Sequence, residues 1–224
     1  ASDMTLLDDS FGSIVNAVMW GRSLYKNLQR FLFFQLTVNV AALLLVLGGA
    51  VIGTELPLTV TQILWVNLIM DTFAAMALAS LPPTKDVMDD KPRQQSDFII
   101  NHSMVRGIMG IGVAMFAVMF IYLIHCFNTG GGMQTHELSM FFTAFVMLQF
   151  WNLFNAKALG TDHSAFRGLC HDKVLTGILV VVFVGQWVIV TFGGKMFRTV
   201  PLSLLDWVYV VAATSLVLWA GEIW

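Results

Sequence analysis

The sequence predicts an all-α fold: a polytopic membrane bundle of six transmembrane helices, the first extended into a stalk outside the bilayer. Three observations lead there. Of 224 residues, 57% are hydrophobic and only 12% charged, against about 25% charged in an ordinary soluble domain. The mean hydropathy is +0.76. Six mostly apolar stretches follow one another, each near the roughly 20 residues that a helix needs to span hydrocarbon. The same composition excludes a disordered chain, which is poor in aromatics and rich in charge. A net charge of −2 offers no basic face for nucleic acid. Cys126 and Cys170 make neither a disulfide framework nor a zinc site.

The first element starts before the membrane. Asp8, Asp9 and Ser10 offer N-cap oxygens, and Phe11, Ile14, Val15, Val18 and Met19 recur at helical spacing. Arg22, Lys26 and Arg30 continue at four-residue spacing into the first apolar run, with no Pro between. The spacing predicts one helix over about 11–49, about 57 Å long and nearly twice the hydrocarbon thickness. A helix of that length leaves the membrane as a stalk holding a cytosolic domain. The alternative is an amphipathic segment lying on the membrane surface.

The six spans are expected at about 31–53, 58–80, 104–125, 139–157, 174–193 and 203–222. Thr54 to Pro57 make a tight turn, Pro82-Pro83 stop span two, and Gly130-Gly131-Gly132 turn the chain between spans three and four. Pro82 to Phe98 form the one long polar loop. Gly107, Gly110, Gly112 and Ala114 suit close helix packing. Ten of the 12 Lys and Arg fall before span one, or in or at the edges of the connections between spans two and three and between spans four and five; only Lys195 and Arg198 lie on the other side. That bias puts both ends of the segment in the cytoplasm. Lacking an initiator Met and a basic signal region, the segment is expected to belong to a larger protein.

Of the 14 acidic residues only Asp71 falls mid-span. A carboxylate there costs about 2.5–3.5 kcal/mol on insertion scales, so it calls for a functional reason. Asn67 stands four residues earlier on the same α-helical face, and Asn39 lies at similar depth in span one. These are hard oxygen ligands, suited to Ca²⁺, Mg²⁺ or Mn²⁺. Ca²⁺ takes about six to eight oxygens, so the set is incomplete without further helices. For Asn39 by itself interhelical hydrogen bonding is the simpler role, whereas the Asn67/Asp71 pair favours ion binding. Gln149, Asn152 and Asn155 form a second polar stripe in span four, best read as amides gripping neighbouring helices. None of the five His has a partner at metal spacing. No Walker loop, Ser-His-Asp set or nucleotide-binding glycine fingerprint is present, so no catalytic or cofactor-binding residue is expected in this chain.

Leu64-Trp-Val-Asn-Leu-Ile-Met-Asp-Thr-Phe-Ala74 resembles a P-type cation-transporting ATPase, specifically a calcium pump of the plasma-membrane type. Asp3 to Arg22 resembles the junction between the phosphorylation domain and the fifth transmembrane helix of these pumps. Gln35-Leu-Thr-Val-Asn39 resembles their fifth helix, Leu81-Pro-Pro-Thr84 the loop after their sixth, and Gln149-Phe-Trp-Asn-Leu-Phe-Asn155 their eighth. The resemblance implies that residues 1–30 are the end of the phosphorylation domain and the stalk, and that 31–224 are helices five to ten. It implies metal ligands at Asn39, Asn67 and Asp71. The positions of three further ligands in two-site relatives fall on Ala42, Met70 and Gln149, which leaves Gln149 a doubtful ligand and implies one Ca²⁺ per cycle.

The function so implied is the C-terminal transmembrane half of an ATP-driven Ca²⁺ export pump of the plasma membrane. Its partners are the lipid bilayer and the pump's own N-terminal helices and cytoplasmic domains, where Mg²⁺ and ATP act. The rival readings are a pump for Mn²⁺ or another cation, and a secondary cation/proton exchanger using Asp71. An exchanger would favour inverted repeats, and the sequence has none evident.

Overall fold

The computed structural model describes residues 5, 10–53, 58–83, 85–89, 98–130, 133–161, 166 and 172–223. All regular structure among them is helical. Helix α1 runs unbroken over Phe11–Ile52, 42 residues and about 63 Å. Ser10 takes the extended N-cap conformation and Gly53 the left-handed C-cap (φ 75°), which glycine adopts without Cβ strain. No residue of α1 before Ser23 is buried. Phe11, Ile14, Val15 and Val18, the apolar stripe of the expected stalk, lie exposed along this projecting part.

The second span runs over Val60–Ala79 but is not a uniform α-helix. Helix α2 (Val60–Leu68) passes into a π-helical segment, Ile69–Ala74, and then into α3 (Ala75–Ala79). Three spans follow as α4 (His102–Gly130), α5 (Thr135–Ala158) and α6 (Lys173–Phe192). A one-turn hook, α7 (Gly194–Phe197), precedes α8 (Leu204–Ile223). Among the described residues five helices are long and apolar enough to cross a membrane, and α8 contributes a shorter apolar stretch, Leu204–Trp219. The helical bundle expected from sequence is therefore the fold, with α1 continuing a few residues past its expected end. The turn at Thr54 to Pro57, Asp8 and Asp9, and most of the loop after Pro83 lie outside the described residues.

Helix α5 is the centre. In it 72% of the most apolar stretch is buried inside the bundle, against 33–39% in the other four long spans. It packs on α1, α4, α6 and α8, while α1 lies along α4. Phe33 and Phe34 of α1 and Phe141 and Phe142 of α5 are all at most 2% exposed. Lipid tails are as apolar as these rings, so close packing and interhelical hydrogen bonds hold such a bundle, not water exclusion. Gly112 serves the packing: a Cβ there would meet Val40 Cγ1 at 2.9 Å. Gly110 does not, since a Cβ there would meet nothing within 4 Å.

The stripe on α5 grips its neighbours as its composition suggests. Asn152 Nδ2 donates to the Phe34 carbonyl of α1 at 3.4 Å, and Asn155 Nδ2 to the Val217 carbonyl of α8 at 3.0 Å. Gln149 differs: it is fully buried, and its amide oxygen and nitrogen have no hydrogen-bond partner among the described residues.

Candidate ion site in the second span

The four-residue spacing of Asn67 and Asp71 assumes an α-helix, and the backbone departs from one between them. From Ile69 the turn widens to π geometry, so the angular step from Asn67 to Asp71 is not the α-helical one. The Ile69 N–H, at the C-cap of α2, is directed at the carbonyls of both Trp65 and Val66. Such wide turns are rare and frequent at functional sites. Asp71 sits in the middle of this one; its side chain, like that of Met70, lies outside the described residues.

Asn39 on α1 and Asn67 on α2 are both exposed on the surface of the bundle. Helix α1 packs against α3 and the π segment, which brings the two candidate helices together. Exposed amides at mid-span need partners, since hydrocarbon offers no hydrogen bonds. Gln149, by contrast, is enclosed on α5. Among the described residues no three His, Cys, Asp or Glu side chains gather as a metal site.

Several positioning contacts go beyond those read from the sequence, although the first has a sequence signal in its Thr-x-x-Gln spacing. At the N-terminal end of the span, Thr59 and Gln62 form a reciprocal cap: the Gln62 N–H reaches Thr59 Oγ1 at 3.3 Å, and the Thr59 N–H reaches Gln62 Oε1 at 2.8 Å. Gln62 Nε2 and Thr61 Oγ1 then donate to the Phe197 and Met196 carbonyls of the hook, each at 2.8 Å. Halfway along, Trp65 Nε1 donates to Gln186 Oε1 of α6 at 2.9 Å. At the other end α1 is stapled to the segment after α3. Asn27 Nδ2 donates to the Leu81 carbonyl (3.0 Å), Arg22 Nη1 to the Val87 carbonyl (3.0 Å) and Gln29 Nε2 to the Ile99 carbonyl (2.7 Å). The long helix and the end of the candidate site helix are thus joined directly. A separate polar contact, His136 Nε2 to Asp206 Oδ2 at 3.1 Å, ties the starts of α5 and α8.

Known proteins have related sequences. The family described as cation transporting ATPase, C-terminus, matches residues 55–224. The plasma membrane calcium-transporting ATPase 2 of Oreochromis mossambicus is 40% identical over 221 residues, covering 94% of this chain and 20% of that protein. The plasma membrane calcium-transporting ATPase mca-1 of Caenorhabditis elegans is 37% identical over 235 residues, covering 100% of this chain and 19% of the relative. The human plasma membrane calcium-transporting ATPase 3 is 40% identical over 219 residues, with 93% and 18% covered. The chain therefore spans about a fifth of the length of these relatives. With a family match over more than half of its residues, the chain belongs to the cation-transporting ATPases, as part of their C-terminal region.

Proposed function

We propose that this chain is the C-terminal transmembrane half of an ATP-driven Ca²⁺ export pump of the plasma membrane. The observation that carries the reading is the π-turn at Ile69–Ala74, which interrupts an apolar span at the chain's single mid-membrane acid. Asn39, Asn67 and Asp71 are the ligands assigned to the ion, which is the cargo. Asn39 and Asn67 lie open on the bundle surface, where helices from elsewhere in the protein can complete the oxygen set. Gln149 is left out of the set.

Residues 1–30 are read as the end of the phosphorylation domain and the stalk, and 31–224 as the transport domain. The exposed stripe Phe11, Ile14, Val15 and Val18 is where the stalk would meet the cytoplasmic domains that use Mg²⁺ and ATP. The basic end of the bundle faces the cytoplasm on the positive-inside bias. Movement of the stalk would reach the site helix through Asn27 and Arg22. One ion per cycle is what the family resemblance implies, because three ligand positions of two-site relatives fall on Ala42, Met70 and the doubtful Gln149.

ATP-driven uptake of ⁴⁵Ca²⁺ into inverted vesicles holding the full-length protein tests the reading. Uptake that requires ATP and is blocked by vanadate supports a pump. Uptake driven by a proton gradient without ATP identifies an exchanger, and ATP-driven uptake of Mn²⁺ alone identifies a different cargo.

A further inference from the structure

We propose that Gly185 and Gln186 of α6 form a seat for the Trp65 indole that sets the π-turn carrying Asp71. The inference rests on the ion-site reading above and adds to it two positioning residues on a helix with no ligand of its own. Gln186 is fully buried in a mostly apolar span, so its amide must find partners there. It has two. Its Oε1 accepts from Trp65 Nε1 at 2.9 Å, and its Nε2 donates to Thr143 Oγ1 of α5 at 3.4 Å. Thr143 is held in turn, donating to the Ser139 carbonyl at 2.7 Å. The indole is thereby referenced to the most buried helix of the bundle.

Gly185 makes the room. A Cβ at that position would stand 2.8 Å from Trp65 Cη2 and 3.0 Å from Cζ2, so any larger residue displaces the ring. Trp65 bridges the π-turn, by its backbone on one side and its ring on the other. At one side the Trp65 carbonyl receives the Ile69 N–H, where the wide turn begins. At the other, the Phe73 ring lies edge-on to the indole, with centroids 6.3 Å apart and planes at 76°. Asp71 sits between these two anchors. Helix α6 also packs against the π segment and α3. Moving the indole moves the Phe73 end of the turn against the backbone bond at its start, and with it the ligand between.

The test measures phosphoenzyme formed from ATP as a function of free Ca²⁺, in the full-length protein in membranes. Gln186→Met keeps the volume and removes the acceptor; Trp65→Phe keeps a ring and removes the N–H. Each should raise the half-saturating Ca²⁺ about three- to tenfold, the worth of one hydrogen bond, with maximal phosphoenzyme retained. The double variant should shift no further than the larger single one, because both remove the same bond. Phosphoenzyme formed from inorganic phosphate without Ca²⁺ reports folding, and Trp65→Phe carries the test if Gln186→Met does not reach the membrane. Wild-type Ca²⁺ dependence in the variants, or shifts that multiply in the double variant, overturns the seat. Asp71→Asn runs in parallel: its loss of Ca²⁺ dependence beside normal Gln186→Met and Trp65→Phe sinks the seat alone. Wild-type behaviour of Asp71→Asn sinks both readings.

Discussion

Replacing Asn27 by Leu should open the junction between α1 and the segment that follows α3. Asn27 is 5% exposed and uses both ends of its amide. Its Nδ2 reaches the Leu81 carbonyl at 3.0 Å, and its Oδ1 accepts from Arg30 Nη1 at 3.0 Å. Leu has a similar volume, so packing is little disturbed. The Leu81 carbonyl loses its donor in a residue that is 7% exposed, and orphaning a buried acceptor costs about 1–3 kcal/mol. A middle value of about 2 kcal/mol corresponds to about 30-fold more frequent opening. Hydrogen–deuterium exchange of peptides covering residues 76–89, in the full-length protein in nanodiscs, reads that opening directly. Exchange should quicken about 30-fold in Asn27→Leu and not at all in Asn16→Leu, an exposed position on the same helix. An increase below about threefold would refute the staple, because the lost bond would then be worth less than an ordinary net hydrogen bond.

Proline at Met19 or Ser23 should uncouple ATP hydrolysis from Ca²⁺ uptake, since it removes a helix hydrogen bond and kinks the rod at a cost of about 3 kcal/mol or more. Normal uptake per ATP in both variants would exclude a rigid lever. Gly112→Val should lower the temperature of heat inactivation, overpacking against Val40 by about 1–3 kcal/mol, while Gly110→Val should leave it unchanged. Equal behaviour of the two glycine variants would contradict the helix packing. Equilibrium ⁴⁵Ca²⁺ binding should saturate near about one ion per chain with a Hill coefficient of about one; two ions bound cooperatively would show that a second site is rebuilt.

The spans were legible because their signal is local and repeated: length and apolarity suffice. The unbroken α1 was legible from its pattern and the absence of Pro between Phe11 and Ile52. Asp71 stood out because charge is costly in hydrocarbon wherever the helix turns. The π-turn beneath it did not, since a widened turn leaves residue types and spacing unchanged. Gln186 gave no signal either, being one amide in an apolar run whose partner, Trp65, is 121 residues away. His136 and Asp206 are likewise separated by 70 residues and meet only in the fold. Of the small residues read as packing sites, Gly112 was right and Gly110 was not, because composition marks small residues without saying which face meets a neighbour.

The central claim is that Asp71, carried on a π-turn, is the charged ligand of the transported ion. Asp71→Asn in the full-length protein tests it most directly. The change preserves size and one oxygen and removes the charge that offsets a divalent ion's dehydration, while a neutral amide costs the membrane span less than a carboxylate. Phosphoenzyme from ATP should no longer form at Ca²⁺ concentrations that saturate the wild type, while phosphoenzyme from inorganic phosphate, which needs no bound Ca²⁺, persists. Ca²⁺-dependent phosphoenzyme at wild-type Ca²⁺ concentrations in this variant would contradict the assignment of Asp71, and the ion site built on it.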